Sequence, residues 1–75
     1  MATPEQIART QRDWTAYAGE PVRVEEIGGT LYGFGSELAT LRIYRKYGAM
    51  ENATQGHSSN MGSFYFSLTP RFQPA

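Results

Sequence analysis

Few residues in this chain are of types that do chemistry. There is one histidine, His57, and no cysteine, which removes thiol nucleophiles, thiolate metal sites and disulfides from consideration. His57 stands in Gly56-His57-Ser58-Ser59-Asn60, next to two serines. A serine nucleophile needs a base within hydrogen-bond reach and a third group to orient that base. Chain neighbours at a strand end send their side chains apart, and the glycine that closes a nucleophile elbow is replaced here by Asn60. A solvated polar turn accounts for the segment better than a catalytic one.

The carboxylates fare no better. Glu25 and Glu26 are adjacent, so on a strand they point to opposite faces and cannot flank one substrate. One of them faces the covered side of its sheet unless a bulge shifts the register, and Glu26, close to a turn, fits a strand end near water. A zinc ion would have to be held by His57 and carboxylates alone. Gly29-x-x-x-Gly33-x-Gly35-Ser36 leads into a helix as phosphate-cradling loops do, but lacks Gly-Lys-[Ser/Thr] and places Glu37 where the anion would sit. Asn52-Ala53-Thr54 matches a glycosylation sequon, and without a signal peptide chance explains it. No catalytic residue, cofactor site or metal ligand is assigned.

What remains is a set of contact residues. Arg42, Arg45 and Lys46 form a basic helix face in a chain with five tyrosines and four phenylalanines. Cations beside aromatics on a sheet grip single-stranded nucleic acid, which makes Arg42, Arg45 and Lys46, with Tyr32 and Tyr65, the candidate contacts. Against this, zero net charge lacks the cationic excess that drives non-specific binding. Tyr32, Phe34, Phe64 and Phe66 are also residues a small core needs, and basic side chains near a helix C-terminus complement its dipole.

The elements that must position these residues are well punctuated. Thr3-Pro4-Glu5-Gln6 reads as a capping box with proline in the first turn. Ile7, Gln11, Trp14, Tyr17 and Ala18 follow a helical stripe, and Gly19 and Pro21 end the helix, predicted over 4–18. Glu5–Arg9 and Arg9–Asp13 are spaced as i,i+4 pairs on its outer face. Val22 and Val24 alternate with charged residues, Gly28-Gly29 suits a type I′ turn, and Thr30 to Phe34 return, giving strands over 21–27 and 30–34. Gly33 marks a bulge or the close approach of another group. Ser36 caps a second helix over 37–47, whose wide apolar arc of Ala39, Leu41, Ile43, Tyr44 and Tyr47 calls for cover on more than one side. Ser63 to Leu68 put Phe64, Phe66 and Leu68 on one face and Tyr65 on the other, a strand over 62–68. Residues 50–57 read as a weaker strand hairpinned to it, with a loop as the competing reading, and 70–75 as a tail.

The expected fold is α+β, one small domain over 1–75 in the order α-β-β-α-β-β, with three to four antiparallel strands and both helices on one face. Each half is a helix and a hairpin, and the helices end alike (Tyr17-Ala18-Gly19, Lys46-Tyr47-Gly48), although the identity between halves is too thin to establish a repeat. Residues 1–37 carry three arginines against six acids, net −3, and residues 38–75 carry four cations against one acid, net +3. Interleaved halves would cancel this asymmetry, and that is the expectation taken here. A 75-residue core is small, and with no disulfide to staple it, self-association is the repair left open. The expected protein is a cytoplasmic, non-enzymatic interaction module acting as a homodimer on a protein or small-molecule partner, without a membrane segment. A nucleic-acid-associated regulator or inhibitor is the alternative.

Overall fold

The computed structural model describes residues 2–47, 53–60 and 63–69. Helix α1 spans Pro4–Ala18, strand β1 Arg23–Ile27, β2 Thr30–Gly35, helix α2 Glu37–Tyr47, β3 Thr54–Ser58 and β4 Ser63–Leu68. The capping box forms as its residues dictate: Gln6 N–H donates to the Thr3 hydroxyl at 3.1 Å, and Thr3 N–H donates to the Gln6 side chain at 2.8 Å. Gly19 ends α1 in the left-handed region at φ 73°, and Gly28 and Gly29 turn the first hairpin at φ 60° and 84°. Ser36 caps α2 by accepting from Ala39 N–H at 3.0 Å.

The four strands form one antiparallel sheet in the order β1-β2-β4-β3. The two helix–hairpin halves therefore stand side by side, meeting where β2 pairs with β4. The halves do not interleave in the sheet, yet Arg42 and Lys46 of the second reach across the seam to Ala18 and Tyr17 of the first.

Both helices pack on one face. Its floor is Val24, Gly33 and Phe66, which lie in register across three strands. Gly33 is no bulge, because the pairing of β1, β2 and β4 runs unbroken past it. It is a place of close approach: a Cβ there would stand 2.6 Å from the Trp14 ring, so only glycine lets that indole settle on the sheet. Trp14 also meets Phe66 edge-on at 5.1 Å, and Tyr47 and Tyr44 close around Phe66 at 5.9 and 6.4 Å. Ala18, Leu31, Ala39 and Ile43 complete the core.

Several boundaries and contacts differ from expectation. β1 starts at Arg23 rather than at 21, and β2 runs on through Gly35. Strand β3 is confined to Thr54–Ser58; Ala53 precedes it, and 50–52, with Asn52 of the sequon, lie outside the described residues, as do 62 and the tail 70–75. Tyr17, placed on the buried stripe of α1, is exposed, because the seam between the helices is filled by Tyr47, whose ring it meets edge-on at 5.6 Å. Among the described residues the one ion pair is Arg23–Glu25, so Glu5–Arg9 and Arg9–Asp13 do not close; exposed side chains gain little by holding such geometry.

Candidate functional site

The five predicted contact residues fall into two groups separated by the sheet. Arg42 lies between the helices and donates from Nη1 to the Ala18 carbonyl at 2.8 Å, serving the C-terminal end of α1. Lys46 holds its ammonium over the Tyr17 ring, 5.1 Å from the centroid. Arg45 is exposed on the far side of α2. Tyr32 and Tyr65 are on the other face of the sheet, because they alternate with Gly33 and Phe66 on the helix-covered side. The structure brings the two tyrosines together and keeps them apart from the three cations.

That open face is built by strand periodicity. Tyr32, Phe34 and Tyr65 project from the two central strands, with Tyr32 and Phe34 rings stacked at 6.2 Å and Tyr32 and Tyr65 tilted at 5.9 Å. Arg23 on the neighbouring strand lays its guanidinium over Phe34, 4.5 Å from the centroid, and pairs with Glu25. Phe34 is thereby buried without a helix above it. Tyr65 leans toward β3, where a Cβ on Gly56 would stand 3.1 Å from its hydroxyl oxygen. Hydroxyls frame the cluster, with Thr54 and Ser67 bonded at 2.7 Å and Thr30 and Thr69 at 3.1 Å. Phe34 and Arg23 were missed as contact residues, although Phe34 is two residues from Tyr32 and must share its face. Phe34 is buried as expected but on the open face, and Tyr32 beside it is only half-buried, because Leu31 and Gly33 take the helix-covered side.

The sheet's edges follow from the same alternation. In the first hairpin Ile27 and Thr30 flank a two-residue turn, so 23, 25 and 27 bond to β2 and the amides of 22, 24 and 26 point outward. Two of those amides are covered from α1: Val24 N–H donates to the Gln11 side chain at 3.0 Å, and Val22 N–H to the Thr15 hydroxyl at 3.2 Å. Gln11 and Thr15 are one helical turn apart, which matches the two-residue spacing of the strand. Carried across β2 and β4, the alternation turns Thr54, Gly56 and Ser58 toward β4 and leaves the backbone of Gln55 and His57 facing outward. Among the described residues nothing hydrogen-bonds that edge, and both side chains are exposed.

The acids, bases and phenols are engaged locally. Glu26 is on the helix-covered face and accepts from Ala2 N–H at 3.0 Å, tying the chain start to β1 rather than sitting free in water. Glu25 points to the open face and pairs with Arg23. The His57 ring lies 4.6 Å from that of Phe64. Tyr47 is the one group with a clear shift: burial, then the adjacent Tyr17 phenol, push its pKa up from 10.0 to about 12. Among the described residues no cluster of three or more histidines and carboxylates could hold a metal ion, and no helix is long and apolar enough to cross a membrane. Compared with protein-family models, curated proteins and solved structures, the chain matches none.

Proposed function

We propose that this chain is a non-enzymatic interaction module that acts as a homodimer and offers the open face of its sheet to a partner. One observation carries this reading: Tyr32, Phe34 and Tyr65 form an aromatic cluster on the sheet face opposite both helices. An antiparallel sheet with one face toward water ordinarily alternates polar residues outward. Rigid aromatic rings with hydroxyl tips suit a contact surface, since they bury much area and lose few rotamers. The engagement of Glu25, Glu26 and His57 in structural contacts supports a binding role over a catalytic one. We place the protein in the cytoplasm on its cysteine-free composition.

The nucleic-acid reading has its own support, because aromatics on the central strands of a four-stranded sheet are how single strands are stacked. The electrostatics weigh against it. Among the described residues Arg23 is the one cation on that face, already shared between Glu25 and Phe34, while Arg42, Arg45 and Lys46 lie on the helix side. Titration with short DNA and RNA strands at low salt, followed through the Tyr32 and Tyr65 resonances, separates the two readings. The interaction module predicts no salt-dependent binding at these rings, and sedimentation across concentration predicts a dimer. Base stacking that weakens with salt and disappears in Tyr32→Ala/Tyr65→Ala would replace this reading with the nucleic-acid one.

A further inference from the structure

We propose that the second copy docks on the free edge of β3, pairing antiparallel with the partner's β3 about a two-fold axis through Gly56 and joining two four-stranded sheets into one of eight. This inference rests on the homodimer reading above and specifies its interface. The outward backbone groups of Gln55 and His57 are those an added strand requires. In an antiparallel pair centred on Gly56, Gln55 of each copy stands opposite the partner's His57, and each such pair exchanges two backbone hydrogen bonds. Gly56 then faces the partner's Gly56 in the close, non-hydrogen-bonded position, where the absence of a side chain removes crowding.

The flanking chemistry is self-complementary. Strand β3 reads Thr-Gln-Gly-His-Ser, with no acid, lysine or arginine to repel its own copy, the device natural edges use against pairing. Across the junction an imidazole faces a carboxamide, two groups able to exchange a hydrogen bond. Above the sheet, the 42–46 side of α2 is occupied by α1, so the opposite flank of α2 is the one that faces the junction. The two-fold sets the two copies of α2 antiparallel on the same face of the joined sheet. With α2 seated over β4, the helix axes lie about 14 Å apart, three strand spacings. That exceeds the 8–10 Å of directly packed helices, so the paired strands and not the helices carry the contact. On the open face the aromatic row Phe34, Tyr65 continues across the two Gly56 residues into its copy. The partner surface is thereby doubled and left free.

The test is sedimentation equilibrium of the full chain and of Gln55→Lys/His57→Lys, which sets lysine against lysine at the junction while leaving every intrachain hydrogen bond in place. We expect a dimer for the parent chain and a dissociation constant raised about a hundredfold or more in the variant. Backbone amide spectra of the variant should show the same fold. His57→Pro, which removes an outward-facing donor at an edge position that tolerates proline, should act alike. In the parent chain the Gln55 and His57 amides should be protected from hydrogen exchange at dimer-forming concentrations and lose protection on dilution. A folded variant that stays dimeric, or a dimer whose Gln55 and His57 amides exchange freely, overturns the β3 interface and leaves the dimer itself standing. A parent chain that remains monomeric overturns both.

Discussion

The two edges of the sheet hold matching places in the two helix–hairpin halves and are finished in opposite ways. The cross-strand row through Gly33 and Phe66 ends in Val24 on one edge and Gln55 on the other, and the row through Gly35 and Phe64 ends in Val22 and His57. On the first edge these positions are buried valines whose outward amides are taken by Gln11 and Thr15. On the second they are exposed polar residues with no cover among the described residues. The helices explain the difference. α1 has 15 residues and packs Trp14 onto Gly33; α2 has 11 and packs Tyr44 and Tyr47 against Phe66, a floor that supplies its own bulk. Gln11 and Thr15 of α1 close the first edge, and no described residue of α2 hydrogen-bonds the second.

The comparison breaks most completely at Trp14. Trp14→Ala should cost about 3–5 kcal/mol, because the indole fills the space over Gly33 and touches Phe66. The opposite error, Gly33→Ala, overfills the same space and should cost about 1–3 kcal/mol. Urea unfolding of both variants checks the order, and equal, negligible losses would mean that α1 is not held by this contact.

A gentler change converts one edge toward the other. Gln11→Ala removes the acceptor for Val24 N–H and should cost about 0.5–1.5 kcal/mol, the net worth of a hydrogen bond whose donor water can then reach. Its more telling effect concerns association: with its amide uncovered, β1 should begin to pair with other chains. Sedimentation should then show species larger than the dimer, whereas a change in stability alone would show that the β1 edge is protected by something other than this cap.

The smallest effect is at the seam, where Tyr47 lies against Trp14, Tyr17 and Phe66. Its folded pKa is raised from 10.0 to about 12. Over that window the unfolded chain releases the proton and the folded chain keeps it, so stability is held below pH 10 and falls as pH rises toward 12. Tyr47→Phe should flatten the loss, read as a shallower shift of the urea midpoint across the window. An unchanged alkaline slope would place the titrating group elsewhere.

The local features of the fold were legible because each is encoded within a few residues. Thr3, Pro4 and Gln6 make a cap, Gly28-Gly29 makes a turn, and Phe64, Phe66 and Leu68 mark one face. What escaped depends on residues far apart in the chain. The role of Gly33 is set by Trp14, arriving from another element, and the partner of Arg42 is a carbonyl 24 positions away. Tyr32 was rightly singled out and Phe34 was not, although they share a face, because a phenylalanine in a small chain is first assigned to the core. The open β3 edge was invisible for a further reason: it is defined by alternation carried across three other strands, and no property of Gln55 or His57 alone announces it.

Trp14 is the sole tryptophan, and it rests on Gly33 of one half while meeting Phe66 of the other. Its emission therefore reports whether the two halves are joined, so that loss of either half should red-shift the same band. It sits well away from β3, on the far side of β4 from that edge. Dimer dissociation at β3 should accordingly be silent in tryptophan fluorescence and visible in hydrodynamics, which gives the molecule separate optical and hydrodynamic signatures for folding and assembly.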